Sequence, residues 1–338
     1  MKSPPSVSAA FALALLLGAA QGGAASGVSG PLARRIVDYS YRQEYDSAGA
    51  MVGGLIAGEP ESPAGLFWQA TLIQLLIYDS GNIGLADSFQ ALCDRTTALC
   101  VSRLRRSHDD AAAHFYLGMV RLNRARFEGW QQNNGAAFKT MLGVSSELRA
   151  ALALDSSLVD AWFGLGMVEY FRSQSSRYTL GLHLLGSTKQ AYKMVRRTAG
   201  SDGAFRPAAE FSLAYMMKQD GNYPEAESAC KVLLAEYPGN RSATRMLRDA
   251  YYKQGDYARA VKLAPVVDSL IRSSFPGNLY GRAENWVVSA RSWFELGQRD
   301  SARACVDRII GLGPHEADVP WLPTYLRQAR ELKAKLEP

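Results

Sequence analysis

The chain has 338 residues, 47% of them hydrophobic and 21% charged, with 38 basic against 32 acidic side chains and a net charge of +6. The basic residues are interspersed with Asp and Glu, which argues against a nucleic-acid partner. His108, His114, His183 and His315 are scattered with no pair at helical spacing, which gives no support to a metal site.

Taken in chain order, residues 1–25 carry one charge, Lys2, then an apolar run from Ala9 to Ala20 and small residues through Ala25. Such a run is too short for a membrane span, which needs about 20 residues, and suits a secretory signal cleaved near Ala20 or Ala25. An uncleaved anchor or a disordered start is the alternative. No later stretch is long and apolar enough to cross a bilayer, and the first cysteine, Cys93, lies far from the cleavage site a lipoprotein requires. The expectation is an exported protein, periplasmic or secreted, with no lipid anchor and no stable membrane span.

Residues 26–338 read as one array of about seven helical hairpins. The first pairs Tyr39 with Tyr45, Ala48, Leu55 and Pro60, and the second begins at Trp68. Cys93 and Cys100 fall in one predicted helix about 10.5 Å apart, beyond a disulfide's reach, and Cys230 and Cys305 sit two repeats apart. All four read as small core residues, with a cross-pair as the minor alternative. The third and fourth hairpins share a local pattern, HFYLGMV at His114 and WFGLGMV at Trp162, 48 residues apart. His114 stands where Trp162 does in the next repeat, so a packed core or boundary position is expected for it. Gly164 and Gly166 lie inside a helix and read as tight-packing glycines rather than a phosphate loop.

Two insertions interrupt the array, near 124–139 with Phe127 and Trp130, and near 173–187. Each either builds a partner site or passively extends the helices. Ser187 with Gln190 forms a capping box, which starts a helix carrying Lys189, Lys193, Arg196 and Arg197, read as a solvated face.

The fifth hairpin is the clearest. Phe211, Leu213, Ala214 and Met217 keep helical spacing over Pro207 to Gln219, Gly221 permits the reversal, and Asn222 caps Tyr223 to Glu236 before Pro238 blocks continuation. Ala226, Cys230, Leu233 and Leu234 form its apolar stripe. Gly255, Tyr257, Ala260 and Val267 repeat Gly221, Tyr223, Ala226 and Leu233 across an interval of 34. The seventh hairpin has Trp286, Trp293, Gly297, Ala302, Ile309 and Pro314. A last helix from Pro323, with Leu326, Ala329, Leu332 and Leu336 on one side, is a polar-backed cap.

These motifs resemble the tetratricopeptide repeat family. The resemblance implies an all-α fold, a right-handed superhelical solenoid of antiparallel helix pairs whose first helices line a concave groove. It also implies a scaffold or peptide receptor that is not an enzyme and needs no cofactor. On that basis the groove positions are Phe115, Met119, Phe163, Met167, Tyr170, Phe211, Tyr215, Lys218, Arg245, Tyr252, Arg291 and Phe294, an aromatic and basic mixture. Phe163, Phe211 and Tyr215 could equally be buried against the next repeat. The family's chaperone-tail receptors clamp a terminal carboxylate with lysine and asparagine. Here the matching places hold Phe163 and Met167, or Phe211 and Tyr215, so that clamp is missing.

No catalytic constellation emerges. The leading expectation is an exported interaction module that holds a protein or peptide in a cell-envelope assembly. A soluble small-molecule or glycan receptor, or transport accessory, is the alternative, and a closed pocket near Trp130, Tyr178 and His183 would favour it.

Overall fold

The computed structural model describes residues 30–175 and 186–337. The signal segment expected at 1–25 and residues 176–185 of the second insertion, with Tyr178 and His183, lie outside them. Among the described residues the fold is all-α with no strand. The helices are α1 (Pro31–Arg42), α2 (Tyr45–Gly58), α3 (Pro63–Ser80), α4 (Ala86–Arg106), α5 (Ala111–Trp130), α6 (Asn134–Met141), α7 (Val144–Leu154) and α8 (Ala161–Ser175). They continue with α9 (Thr188–Ala199), α10 (Arg206–Gln219), α11 (Tyr223–Glu236), α12 (Arg241–Lys253), α13 (Tyr257–Ser274), α14 (Leu279–Glu295), α15 (Arg299–Ile310) and α16 (Leu322–Leu336).

Two compact units divide the chain. Among the described residues the first comprises 30–40, 44–73, 88–175 and 186–206, the second 41–43, 74–87 and 207–337.

In the first unit α5 packs on α6, α7 and α8, and α8 on α7 and α9. Helices α5 and α8 are buried on several faces at once: every residue from Phe115 to Val120 and from Phe163 to Val168 is buried. A helix apolar all round belongs inside a core. Close approach is made possible by glycine. A Cβ on Gly164 would lie 2.5 Å from Leu148 Cδ1, and one on Gly166 would lie 2.6 Å from Val195 Cγ2. Both are the tight-packing positions the sequence suggests.

An aromatic cluster fills this unit. Phe205 stacks on Trp68 at 5.1 Å and on Phe163 at 5.7 Å, while Phe67 meets Tyr116 at 5.3 Å and Phe115 meets Phe205 edge-on at 6.2 Å. Phe205 is held there by Asp160. The buried carboxylate accepts from the backbone N–H of Ala204 at 3.0 Å and of Phe205 at 3.1 Å, so the turn before α10 is satisfied without water.

In the second unit successive helices pack from α11 through to α16, and α12 touches α14 as α14 touches α16. That pattern is what stacked hairpins require, each burying the stripe its neighbour leaves open. Ala226, Cys230 and Leu233 are buried as the stripe predicts, and Leu234 is half-buried. Gly221 and Gly255 take φ of +84° and +80°, the left-handed region that a side chain resists. One local expectation fails. Asn222 occupies the N-cap of α11, but its side chain makes no capping bond, and Pro224 in the first turn leaves one fewer N–H to satisfy.

The start of α12 and the start of α14 are tied to residues far earlier in the chain. Asn240 accepts from Ala243 N at 2.8 Å and donates through Nδ2 to the Tyr41 carbonyl at 2.8 Å. Asn278 does likewise, accepting from Gly281 N and donating to the Asp79 carbonyl, each at 2.8 Å. Beside them Arg241 forks onto the Asp79 carboxylate, with Nε to Oδ2 at 2.9 Å and a closer Nη2 contact, and donates to Ser274 Oγ at 2.6 Å. Arg241 and Asp79 are 6% and 3% exposed, so each depends on the other for its charge balance.

Truncating one partner of such a pair strands the other without water. Asp79→Ala should therefore cost about 3–5 kcal/mol in urea denaturation followed by circular dichroism, while Asp79→Leu with Arg241→Met should recover most of that loss. A cost below about 1 kcal/mol for the single change would mean that the pair behaves as a surface one.

Candidate functional site

Helices α10, α12 and α14 carry the second unit's share of the expected groove residues. Tyr215, Lys218, Arg245, Tyr252, Arg291 and Phe294 are all half-buried, each with part of the side chain open to solvent. Tyr215 and Tyr252 pack against the cluster of Ala214, Cys230, Met246, Leu247, Tyr251 and Ala260. Phe294 packs against the cluster that holds Ala290, Ala302 and Val306.

The cations among them are positioned by an ion-pair chain. Lys218 Nζ lies 3.2 Å from Asp249 Oδ2, and Arg248, fully buried, donates from Nη2 to Asp249 Oδ1 at 2.7 Å. Arg248 also donates from Nη1 to Asn285 Oδ1 at 2.8 Å, and Asn285 in turn donates to the Ala264 carbonyl at 2.9 Å. Glu284 pairs closely with Arg245 and lies 3.8 Å from Arg248. Arg245 stands over the Tyr280 ring at 5.6 Å. Arg291 has no ion-pair partner among the described residues. Lys218, Arg245 and Arg248 thus share the carboxylates of Asp249 and Glu284, and Arg291 stands on α14.

Asp249, Arg248, Glu284 and Asn285 were not singled out by the sequence reading. Helical spacing points to the wrong pair: Arg245 and Asp249 stand four apart on α12, but Arg245 pairs with Glu284, and Asp249 with Arg248 and Lys218. Partners on different helices leave no such trace.

The first unit's three expected groove residues are placed otherwise. Phe115 and Met119 are 0% exposed and Tyr170 is 2% exposed, so none of them presents a surface to a partner. Phe115 meets the Phe205 ring, and Met119 Sδ would touch a Cβ on Gly164 at 2.9 Å. Phe163 and Met167 are buried in the same way. The correction has one physical source: α5 and α8 are wrapped on more sides than a helix with an open face.

Other sequence readings find their places. His114 bridges Glu147 Oε2 from Nδ1 at 2.7 Å and the His108 carbonyl from Nε2 at 3.2 Å, a boundary histidine. Cys93, Cys100, Cys230 and Cys305 are buried and free, and burial pushes the Cys93, Cys100 and Cys230 thiols up to about 12. Ser187 accepts from Gln190 N at 3.3 Å and opens α9, whose Lys189, Lys193, Arg196 and Arg197 are exposed. No group of three or more His, Cys, Asp or Glu that could hold a metal is found among the described residues, and no helix there is long and apolar enough to cross a membrane.

The first insertion forms α6. Gln132 takes a positive φ of 64°, and Asn133 then caps the helix by accepting from Ala136 N at 3.2 Å. Only Ala137 of α6 is buried, while Phe138 and Leu142 stay 54% and 56% exposed. Between α4, α5 and α6 lies a cleft of about 500 Å³.

A tetratricopeptide repeat family model matches residues 218–264, which run from the last turn of α10 into α13. Residues 218–264 are thus a tetratricopeptide-repeat segment. Solved structures similar to this chain include a tetratricopeptide repeat protein from Parabacteroides merdae, 15% identical, covering 88% of this chain and 97% of that one, with a TM-score of 0.43. Another is pilF of Pseudomonas aeruginosa, 16% identical over 79% of this chain and 99% of that one, TM-score 0.47. A third is the P58(IPK) TPR domain, 12% identical over 90% and 98%, TM-score 0.30. Comparison with curated proteins gives no match.

The ion-pair chain makes a pH signature. Burial opposes ionisation of Asp249, but the charges and hydrogen bonds of Arg248 and Lys218 outweigh it and bring the carboxyl down to about 2 from its ordinary 3.8. A carboxyl whose folded value is depressed stabilises the fold above the ordinary value and loses that contribution as pH falls through the folded one. Stability should therefore decline between about pH 4 and pH 2, and Asp249→Asn should remove that part of the decline in acid-denaturation curves. An unchanged curve would mean that Asp249 is not ionised in this arrangement.

Proposed function

We propose that this chain is an exported, non-enzymatic tetratricopeptide-repeat module that holds a protein or peptide segment along α10, α12 and α14 during cell-envelope assembly. The reading is carried by one observation. Half-buried Tyr215, Tyr252 and Phe294 stand on the same three helices as Lys218, Arg245 and Arg291. Aromatic rings provide apolar contact at low entropy cost, and the cations select acidic residues in the occupant.

Preorganisation supports the same reading. Lys218 and Arg245 are already oriented by Asp249 and Glu284, so little side-chain freedom is left to lose when a segment binds. The occupant suited to such a face is an extended or helical segment with apolar anchors and some negative charge. Binding requires no covalent step. Export rests on the composition of residues 1–25, where a single Lys2 precedes an apolar run and small residues.

The test is affinity capture from the native envelope with the wild-type protein and with Tyr252→Ala, Phe294→Ala together. A specific partner should be recovered with the wild type and lost or reduced about tenfold or more with the double variant, as expected when aromatic anchors are removed. Equal recovery of the same partner by both would sink the proposal.

A further inference from the structure

Helix α9 belongs to the first unit and shares no residue with the proposed segment-binding face. Ala191, Val195 and Thr198 are buried, and Thr198 Oγ1 donates to the Val159 carbonyl at 2.9 Å, so one side of the helix is committed to the core. Lys189, Lys193, Arg196 and Arg197 fall on the opposite side, within about 100° of arc and about 12 Å of helix length. All four are exposed, and the one other exposed residue of α9 is Gln190. The Arg197 guanidinium stands over the Trp162 ring at 4.4 Å and that of Arg196 over the Tyr192 ring at 5.4 Å, so half-buried aromatic side chains hold two of the cations in place.

What sets this face apart is its lack of carboxylates. Exposed cations on other helices have an acid at helical spacing: Lys231 lies 2.8 Å from Glu227, Arg259 2.5 Å from Asp256, Arg272 2.9 Å from Asp268 and Arg303 3.6 Å from Asp300. None of the four cations of α9 has an ion pair among the described residues. Between Glu169 and Asp202 the sequence has six Lys or Arg residues and no Asp or Glu, and residues 1–29 have no Asp or Glu either, so the undescribed stretches supply no carboxylate. The two flanking acids are engaged. Glu169 Oε1 accepts from Ser187 N at 2.7 Å, and Asp202 pairs with Arg34 at 3.3 Å. Like charges three and four apart on a helix repel, and Lys193 stands so to Lys189, Arg196 and Arg197. An external negative charge relieves that repulsion.

We propose that the outer face of α9 docks the protein on an anionic phospholipid surface, by charge and without insertion. A protein partner is held through aromatic or aliphatic anchors, and this face exposes none. A layer of phosphate headgroups offers the matching chemistry, many negative charges and no pocket, and each Lys or Arg beside it strengthens binding about fivefold. Guanidinium and ammonium groups both donate to phosphate oxygens. The apolar side of α9 is spent on the core, so the contact is electrostatic and reversible by salt.

Flotation of the full chain with vesicles of phosphatidylcholine, alone or mixed with phosphatidylglycerol, tests this. Binding is expected on the mixed vesicles, and raising salt from about 0.1 M to about 1 M, which shortens the screening length from about 10 Å to about 3 Å, should release the protein. Lys189→Gln with Lys193→Gln should weaken binding about tenfold or more while the helical circular dichroism is kept. Arg330→Gln with Lys335→Gln removes the same charge from exposed positions of α16 and should bind as the wild type does. The Tyr252→Ala, Phe294→Ala protein should also bind unchanged, so this surface and the segment-binding face fail independently. Residues 1–25 are common to all these proteins, so partition through their apolar run would give equal binding to both kinds of vesicle. That result overturns the proposal, as does an equal loss in the α9 and α16 variants, which would reduce the effect to net charge. Tighter binding to soluble polyglutamate than to the mixed vesicles at matched charge also overturns it, and makes an acidic polypeptide the partner.

Discussion

The second unit depends on how the starts of α12 and α14 are held. An asparagine amide has an oxygen and a nitrogen that can work in different directions, and Asn240 and Asn278 use both. The oxygen satisfies an N–H of the helix's own first turn, which has no intrahelical acceptor, and the nitrogen reaches a carbonyl of Tyr41 or Asp79, contributed 199 residues earlier. Capping and long-range anchoring are thus one interaction. Because the two helices are pinned at their first residues, Arg245, Arg248 and Asp249, one to two turns on, meet Glu284 and Asn285 in a definite register. The buried Arg241 and Asp79 pair reinforces the same junction. A pair taken so far out of water adds little net stability over apolar residues of the same volume, because desolvation offsets the attraction.

A different constraint organises the first unit. Asp160 holds the backbone of Ala204 and Phe205, and the Phe205 ring then occupies the space that Trp68, Phe115 and Phe163 surround. Aromatic side chains at first-helix positions are here structural. The same residue types at corresponding positions on α10, α12 and α14 stay half open because fewer neighbours cover them. Identical repeat logic therefore yields a closed core in one unit and an accessible face in the other. The insertion that forms α6 adds a third kind of behaviour, a helix whose polar side is turned to a cleft and whose apolar residues remain largely in solvent.

Much of the architecture could be read from residue order. Helices over Tyr223–Glu236 and Thr188–Ala199 follow from apolar spacing, a capping serine and terminating proline or glycine. The buried stripe of Ala226, Cys230 and Leu233 follows from the same period, and so do the left-handed turns at Gly221 and Gly255. The candidate site was legible only in part. Tyr215, Lys218, Arg245, Tyr252, Arg291 and Phe294 keep some exposure, whereas Phe115, Met119 and Tyr170 do not. Spacing identifies which side of a helix is apolar, but not how many neighbours will cover the other sides.

Local chemistry thus suffices for the helices, their ends and their repeat, because the forces that make them act within four residues along the chain. Partner choice between distant groups is another matter. Asn240 finding Tyr41, Arg241 finding Asp79, Glu284 pairing with Arg245, and Arg124 pairing with Asp94 arise when burial removes water and forces each polar atom to find what is within about 3 Å. That competition is settled in space, and no periodicity in the residue order encodes it.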